Sequence, residues 1–346
     1  MIGYNFGAIA ALVLSIVLSY LIIPKIITFA QRYKLADVAG KRASHIGSIP
    51  ILGGIAIFLS LVLSLFLFSD IAENKFIISS LIVVFFVGMI DDLLGLSAYK
   101  KLIGQIIATL ILIFLSDLRI DNFHGVLGVY EISYMFSVMF TLFVVIVIIN
   151  GVNLIDGIDG LAAGASIISA LFFGIIFYFL NQYNMLVLSS ALIGSLLAFL
   201  KFNSHPAKIF MGDTGSLLIG MVLSILAINL IRSGIVLDTY SFPNKGPLLA
   251  IAFLSLPLYD SLRIFIARIV RGKHPLKPGR GHIHHAMLDL GIGHRNTSLI
   301  LCLFSLILIL IAILMLSFNI SFAIFILSLI AFLFLLIPFY ILRKKK

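Results

Sequence analysis

Three short stretches place carboxylates, amides and glycines close enough together to do chemistry. The first is FFVGMIDDLLGLSAYKKLIGQ, where Asp91 and Asp92 follow an apolar run. Carboxylates next to hydrocarbon are costly and commonly functional. Adjacent helical residues point about 100° apart, so one can serve a metal or act as a base while the other orients it. The plain alternative is a helix-end charge pair balanced by Lys100 and Lys101. The second stretch is IINGVNLIDGIDGLAAG, with Asn150, Asn153, Asp156 and Asp159 at intervals of three. That spacing predicts one helical face carrying two amides and two carboxylates, a set suited to a sugar–phosphate and a hard cation. Gly151, Gly157 and Gly160 between them permit close backbone approach or a tight bend, so a polar loop with glycine hinges is the bland reading. The third is HPAKIFMGDTGSLLIG. Asp213 or Thr214 there is either a helix cap, or Asp213 is a Mg²⁺ ligand beside free backbone N–H groups that favour phosphate. Phe210 is placed to stack on a planar base.

A fourth stretch is basic: GKHPLKPGRGHIHHAMLDLGIGHR, residues 272–295. His282, His284 and His285 suggest zinc at first, but the pattern is not HExxH, no cysteine is near and the flanking cations repel a dication. Arg280 and the histidines suit the anionic oxygens of a diphosphate better. Binding of anionic lipid headgroups is the alternative for such a loop.

These motifs need a membrane to hold them. Of 346 residues, 62% are hydrophobic and 11% charged, with a mean hydropathy of +1.21. A soluble domain carries about 25% charged residues. Apolar runs fall at approximately 6–29, 51–69, 76–91, 102–117, 134–152, 161–180, 185–201, 212–231, 247–268, 298–317 and 320–342. Each is read as a helix crossing the bilayer, the third, fourth and seventh being short. The fold class is therefore all-α, a polytopic transmembrane bundle of about eleven helices in a single domain, 1–346. The first run lacks a basic n-region and a cleavage site, so it is expected to stay as a helix.

The net charge of +10 does not imply nucleic acid, because the charges lie in short loops between apolar runs. Twenty of the 24 Lys and Arg fall on one side of the expected topology, leaving only Lys75, Arg119, Arg232 and Lys245 on the other. The positive-inside bias places the C-terminus in the cytoplasm and the N-terminus outside. The cytoplasmic loops 30–50, 91–101, 150–160, 201–213 and 269–297 carry all the motifs, so an active site would open to the cytoplasm. Cys302, the single cysteine, excludes an intrachain disulfide.

The stretches IPILGGIAIF, DDLLGLSAYKKLIGQ, NLIDGIDGLAAG, FMGDTGS and GRGHIHH occur in this order over nearly the whole chain. The chain thereby resembles the polyprenyl-phosphate N-acetylhexosamine-1-phosphate transferases. His282-Ile283-His284-His285 and the helix count resemble the WecA/TagO type, which uses UDP-GlcNAc. The relative handling UDP-MurNAc-pentapeptide has three consecutive histidines and ten helices. One loop departs from the family: VAGKRASHIGSIP keeps His45 and Pro50 but lacks a preceding Asp-x-Pro.

The resemblance implies a bacterial inner-membrane enzyme that moves GlcNAc 1-phosphate from UDP-GlcNAc to undecaprenyl phosphate, releasing UMP and initiating an envelope polysaccharide. It implies Mg²⁺, with Mn²⁺ as a substitute, bound by Asp213 with Asp92. Asp91 or Asp92 would activate or position the lipid phosphate, with Lys100, Lys101 and His45 nearby. Asn150, Asn153, Asp156, Asp159 and Phe210 would hold the nucleotide-sugar, and Arg280, His282, His284 and His285 the diphosphate or sugar. Asp156 and Asp159 are also expected to be catalytic. A homodimer is compatible with such a bundle, though no residue argues for it. Another UDP-N-acetylhexosamine or UDP-MurNAc-pentapeptide is the alternative donor. A cation-coupled transporter is a remote alternative that predicts charged or broken helices near mid-membrane and an internal repeat, neither evident in the sequence. A CDP-alcohol phosphotransferase shares only DGIDG, and Leu161-Ala162 follow it here where that family has Ala-Arg.

Overall fold

The computed structural model describes residues 2–33, 36–37, 49–233, 235–236, 241–242, 244–270, 272 and 281–344. Thirteen helices dominate these residues: α1 (Ile2–Arg32), α2 (Gly53–Phe68), α3 (Ile71–Leu94), α4 (Ala98–Leu115), α5 (Tyr134–Ile155), α6 (Leu161–Phe179) and α7 (Tyr183–Asn203) come first. They are followed by α8 (Gly212–Ser233), α9 (Gly246–Phe253), α10 (Ser255–Val270), α11 (Ile283–Asp289), α12 (His294–Leu314) and α13 (Ile320–Lys344). The only strands among the described residues form three antiparallel two-stranded ribbons: β1 (Ala36–Asp37) with β2 (Ile49–Pro50), β3 (Asn122–Val126) with β4 (Val129–Glu131), and β5 (Ile235–Val236) with β6 (Ser241–Phe242). The protein is an all-α polytopic membrane protein.

Nine described helices are long and apolar enough to span a bilayer, or ten if α9 and α10, bent by 80°, count as one span. The eleven runs read from the sequence each coincide with an element, and α2, apolar but only 16 residues long, stands where the eleventh span would be. Helices extend past the hydropathy edges. The run at 76–91 becomes the 24-residue α3 because Asp70 caps its start, accepting from the Ala72 and Glu73 amides at 2.9 and 3.4 Å. Backbone hydrogen bonding continues through charged residues where a hydropathy window stops.

The run at 247–268 is not one straight helix. Pro257 lacks an N–H and its ring crowds the carbonyl four residues earlier, at Phe253, where α9 ends. The two helices are bent by 80° at this break, the geometry of a broken span or a re-entrant loop, which hydropathy did not signal. Its buried charges, Asp260 and Arg263, pair with each other at 2.8 Å.

α8 is the hub. Every residue from Thr214 to Ile228 is buried, and a helix apolar all round belongs in an interior. It packs against α2, α3, α5, α6, α7 and α9. Glycines permit the close approach that van der Waals packing between helices in lipid requires: Gly54 meets Gly215, Gly88 meets Thr214 and Gly220 meets Ile149. The peripheral α1 and α13 instead show large apolar side chains, such as Phe6, Phe325 and Leu333, to the surroundings.

A methyl added at Gly88 would lie 2.6 Å from backbone atoms of Asp213 and Thr214, which cannot swing aside. Gly88→Ala is expected to destabilise the bundle by about 1–3 kcal/mol, read as a lower thermal unfolding midpoint of the detergent-purified protein.

Candidate active site

The polar motifs meet at one end of the bundle, where α3, α5 and α7 finish and α4, α6, α8 and α12 begin. The start of α8 organises this end. Asp92, from α3, accepts from the Asp213 amide (2.8 Å), the Thr214 amide (2.9 Å) and the Thr214 hydroxyl (2.5 Å). The cap of α8 therefore comes from a neighbouring helix, and neither Asp213 nor Thr214 provides it. Capping uses both Asp92 oxygens, so the side chain expected to hold a metal is here a backbone acceptor. The segment before α8 in turn satisfies the start of α2: Phe210 and Met211 carbonyls accept from the Gly53 and Gly54 amides at 3.0 and 2.9 Å. The Phe210 amide donates to Pro50 at 2.7 Å. Phe210 remains partly exposed at this end.

Asp91, one residue earlier, has a different task. Its Oδ1 accepts from the Leu96 amide at 2.7 Å, closing the turn around Gly95, whose φ of 69° suits glycine. Its Oδ2 lies 2.7 Å from Lys101 Nζ, and the same ammonium bonds Asp213 Oδ2. Asn153 Nδ2 donates to Asp213 Oδ1 and to Ser216, both at 2.8 Å. Asp91, Lys101, Asp213 and Asn153 thus form one connected set drawn from four helices. Lys100 is exposed and points elsewhere on its helix.

The second motif does not form a single face. α5 stops at Ile155, and Gly160 is left-handed at φ 75°, so Asp156 and Asp159 lie in a turn and diverge. Asn150 is turned into the bundle, donating to Gln105 of α4 at 2.8 Å. Among the described residues the Asp156 carboxylate accepts no hydrogen bond. Burial, together with the negative charges of Asp213, Asp92 and Asp159, pushes it well above the usual carboxylate range. Asp159 is buried and meets His205 Nδ1 at 2.7 Å and His294 Nδ1 at 3.8 Å. Asn203 ties this turn to the loop before α8, accepting from the Gly160 amide and donating to the Ile209 carbonyl, both at 2.9 Å.

The histidine segment is anchored from beneath by Asp260. Its carboxylate holds His282 Nδ1 at 2.8 Å, the Ile283 amide at 3.1 Å and Arg263 at 2.8 Å, while Arg263 also donates to the Gly281 carbonyl at 2.5 Å. His284 is 1% exposed, sits against Gly157 and, among the described residues, has no hydrogen-bond partner on either ring nitrogen. Burial first, then the neighbouring His285 and His282, lower its pKa to about 3. It is therefore a neutral imidazole at any physiological pH. His285 packs beside it, ring centroids 4.3 Å apart. His45 and Arg280 lie outside the described residues.

Sequence reasoning missed Gln105, Asn203, His205, Asp260, Arg263 and His294. His205 sits two residues after Asn203 inside the quoted HPAKIFMGDTGS stretch, so proximity was the available signal. Asp260 had a weaker one, a carboxylate in an apolar run.

For a divalent cation the oxygen donors are suitable: Asp213, the unpartnered Asp156 carboxylate and the amide oxygen of Asn153, in a region whose negative charge a cation would relieve.

A helical membrane bundle with carboxylates, a lysine and histidines gathered at one end is an integral membrane enzyme in class. Residues 75–231 match Glycosyl transferase family 4. The chain is 30% identical over 299 residues to a probable undecaprenyl-phosphate N-acetylglucosaminyl 1-phosphate transferase of Bacillus subtilis (strain 168), covering 85% of this chain and 81% of that one. It is 32% identical over 302 residues to a decaprenyl-phosphate N-acetylglucosaminephosphotransferase of Mycobacterium leprae, covering 80% and 75%. It is also 32% identical over 279 residues to an undecaprenyl-phosphate alpha-N-acetylglucosaminyl 1-phosphate transferase of Haemophilus influenzae, covering 78% and 76%. The protein belongs to glycosyl transferase family 4.

The geometry separates adjacent aspartates by role. Asp92→Ala should lower stability by about 1–2 kcal/mol through loss of the α8 cap, whereas Asp156→Asn should leave the unfolding midpoint unchanged or raise it by relieving charge repulsion. Thermal unfolding in detergent distinguishes the two. His284 predicts a pH effect. Its folded-state value lies below the ordinary 6.5, so the unfolded chain takes the proton first. Stability should fall as pH drops from 6.5 towards 3, by up to about 1.4 kcal/mol per pH unit. In His284→Gln that part of the slope should vanish when unfolding is followed between pH 7 and about 5.

Proposed function

We propose that the protein transfers N-acetylglucosamine 1-phosphate from UDP-GlcNAc to undecaprenyl phosphate at the cytoplasmic face of a bacterial inner membrane. The observation carrying this reading is the set Asp91–Lys101–Asp213–Asn153 at the membrane-boundary ends of four helices. The acceptor's charged head would be anchored there while its isoprenoid chain stays in lipid. The printed substrates of the relatives point the same way, and the excess of Lys and Arg on this side of the bundle supports a cytoplasmic opening.

Two anions must meet for this reaction. Lys101, held between Asp91 and Asp213, offers an ammonium at the place where the acceptor phosphate would arrive. An acceptor phosphate oxygen attacks the β-phosphorus of the donor. A new P–O bond forms, the bond from that phosphorus to the oxygen bridging the α-phosphate breaks, and its electron pair leaves on UMP. The nucleophile is already ionised, so positioning suffices and no proton has to be abstracted. Asp213, Asp156 and Asn153 would hold Mg²⁺, or Mn²⁺ in its place, which when bound supplies charge neutralisation for the diphosphate. Asp92 supports that set indirectly by fixing the backbone of Asp213. Phe210, partly exposed, would contact the base. His284, being neutral, can give the donor hydrogen bonds but no charge, so cationic help would come from Lys101 and from Arg280. UDP-MurNAc-pentapeptide and other UDP-N-acetylhexosamines are the alternative donors.

Purified protein supplied with UDP-[¹⁴C]GlcNAc, undecaprenyl phosphate and Mg²⁺ is expected to form a radiolabelled lipid and stoichiometric UMP, and EDTA is expected to abolish both. Lys101→Ala should reduce turnover by about 10²-fold or more. Turnover with a different UDP-hexosamine alone would overturn the donor assignment. Inactivity of folded protein with every donor would overturn the reaction.

A further inference from the structure

We propose that Asp159, His205 and His294 form a binding site for a transition-metal dication of the zinc class, built from residues other than the Asp91–Lys101–Asp213–Asn153 set. The proposal does not depend on the transferase reading. These residues come from three segments: the turn after α5, the loop between α7 and α8, and the first turn of α12. One carboxylate oxygen and two imidazole nitrogens can be chosen so that all lie within 4.8 Å of one another.

The donor chemistry selects the metal. Two imidazoles with one carboxylate suit zinc and its neighbours, whereas magnesium and calcium prefer all-oxygen surroundings. In a tetrahedral zinc site with bonds of about 2.0–2.1 Å, ligand atoms stand about 3.3 Å apart. The separations here bracket that value: 2.7 Å from Asp159 Oδ2 to His205 Nδ1, and 3.8 Å from Asp159 Oδ1 to His294 Nδ1. These two contacts are made to different carboxylate oxygens, so occupancy would draw both rings in around one of them, with the ligand nitrogen of each ring deprotonated.

The surroundings resemble a built site. The Asp159 side chain is fully buried and steadied by the Ala207 amide at 3.3 Å, while its own backbone carbonyl accepts from Ser298 at 2.8 Å. Such outer contacts orient metal ligands. The His205 side chain is 43% exposed, so water can reach the site and complete the coordination. A simple Asp–His hydrogen bond would account for His205 alone. The His294 ring lies stacked beside it, with ring centroids 5.2 Å apart. Occupancy would cross-link the Asp-Gly turn and the loop that leads into Phe210 and Asp213 to α12, fixing the entrance of the candidate active site.

The test uses the full-length protein in detergent, stripped with chelator, desalted and titrated with ZnCl₂ without nucleotide or magnesium. Bound zinc is measured by mass spectrometry after gel filtration, Co²⁺ is read by its visible d–d bands, and unfolding midpoints are recorded with and without zinc. The expected result is one zinc per chain and a higher unfolding midpoint. His205→Ala and His294→Ala should each weaken zinc binding by more than about tenfold, and His285→Ala should not. Because His205 is an exposed loop residue, His205→Ala tests the site in a folded chain, confirmed by an unchanged zinc-free midpoint. Wild-type protein that retains no zinc overturns the proposal. So does zinc that is retained equally by His205→Ala, or that is lost only on replacing His285.

Discussion

The structure depends on how one helix begins. The first turn of a helix leaves backbone N–H groups without partners, and at the boundary of a bilayer water cannot be relied on to supply them. α8 begins there, at the centre of the bundle, and Asp92 from α3 supplies the acceptors. This exchange fixes the angle at which α8 enters and clamps α3 against it at Gly88. It also presents Asp213 to Lys101. The reciprocal bonds from Gly53 and Gly54 to Phe210 and Met211 do the same for α2. Structural hydrogen bonds and the candidate reactive groups therefore occupy the same few residues, and disturbing one set disturbs the other.

Charge balance sets the second constraint. Several carboxylates share a small volume, and among the described residues Lys101 is the cation placed directly between two of them. Asp91 and Asp213 share this one ammonium, Asp92 is satisfied by amide dipoles, and Asp156 is left to bear repulsion from the others. That unbalanced carboxylate is what gives the site a use for a cation. The histidine segment reaches the same place from the other direction. Asp260 and Arg263 pin it from below, and Gly157 admits the His284 ring that any larger residue would exclude.

The readings of the acidic motifs fared differently for identifiable reasons. Asp91 and Asp92 diverge as expected, because adjacent helical positions point in different directions. The spacing of three in Asn150, Asn153, Asp156 and Asp159 suggested one face, but helical periodicity applies only while a helix lasts. α5 ends before Asp156, and the four side chains reach Gln105, Asp213, open site and His205 in turn. The bend at Pro257 was obscured because both arms are apolar, so hydropathy registered a single span where the chain turns by 80°. His205, His294 and Asp260 were passed over because each looks ordinary in its own segment.

Sequence alone determined that this chain uses lipid as its solvent, where its apolar runs lie, and which polar motifs flank them. Those properties follow from local composition, since the cost of burying charge in hydrocarbon is the same whatever the neighbours. It also carried the family, through motifs spaced along nearly the whole chain. Tertiary structure alone decided what each polar side chain meets. Asp92 finds its partners 121 and 122 residues away, and Asp159 meets a histidine 46 residues away. Such pairings depend on which helix faces pack together. That is settled by the fit of glycines and side chains across the bundle, a property no single segment carries.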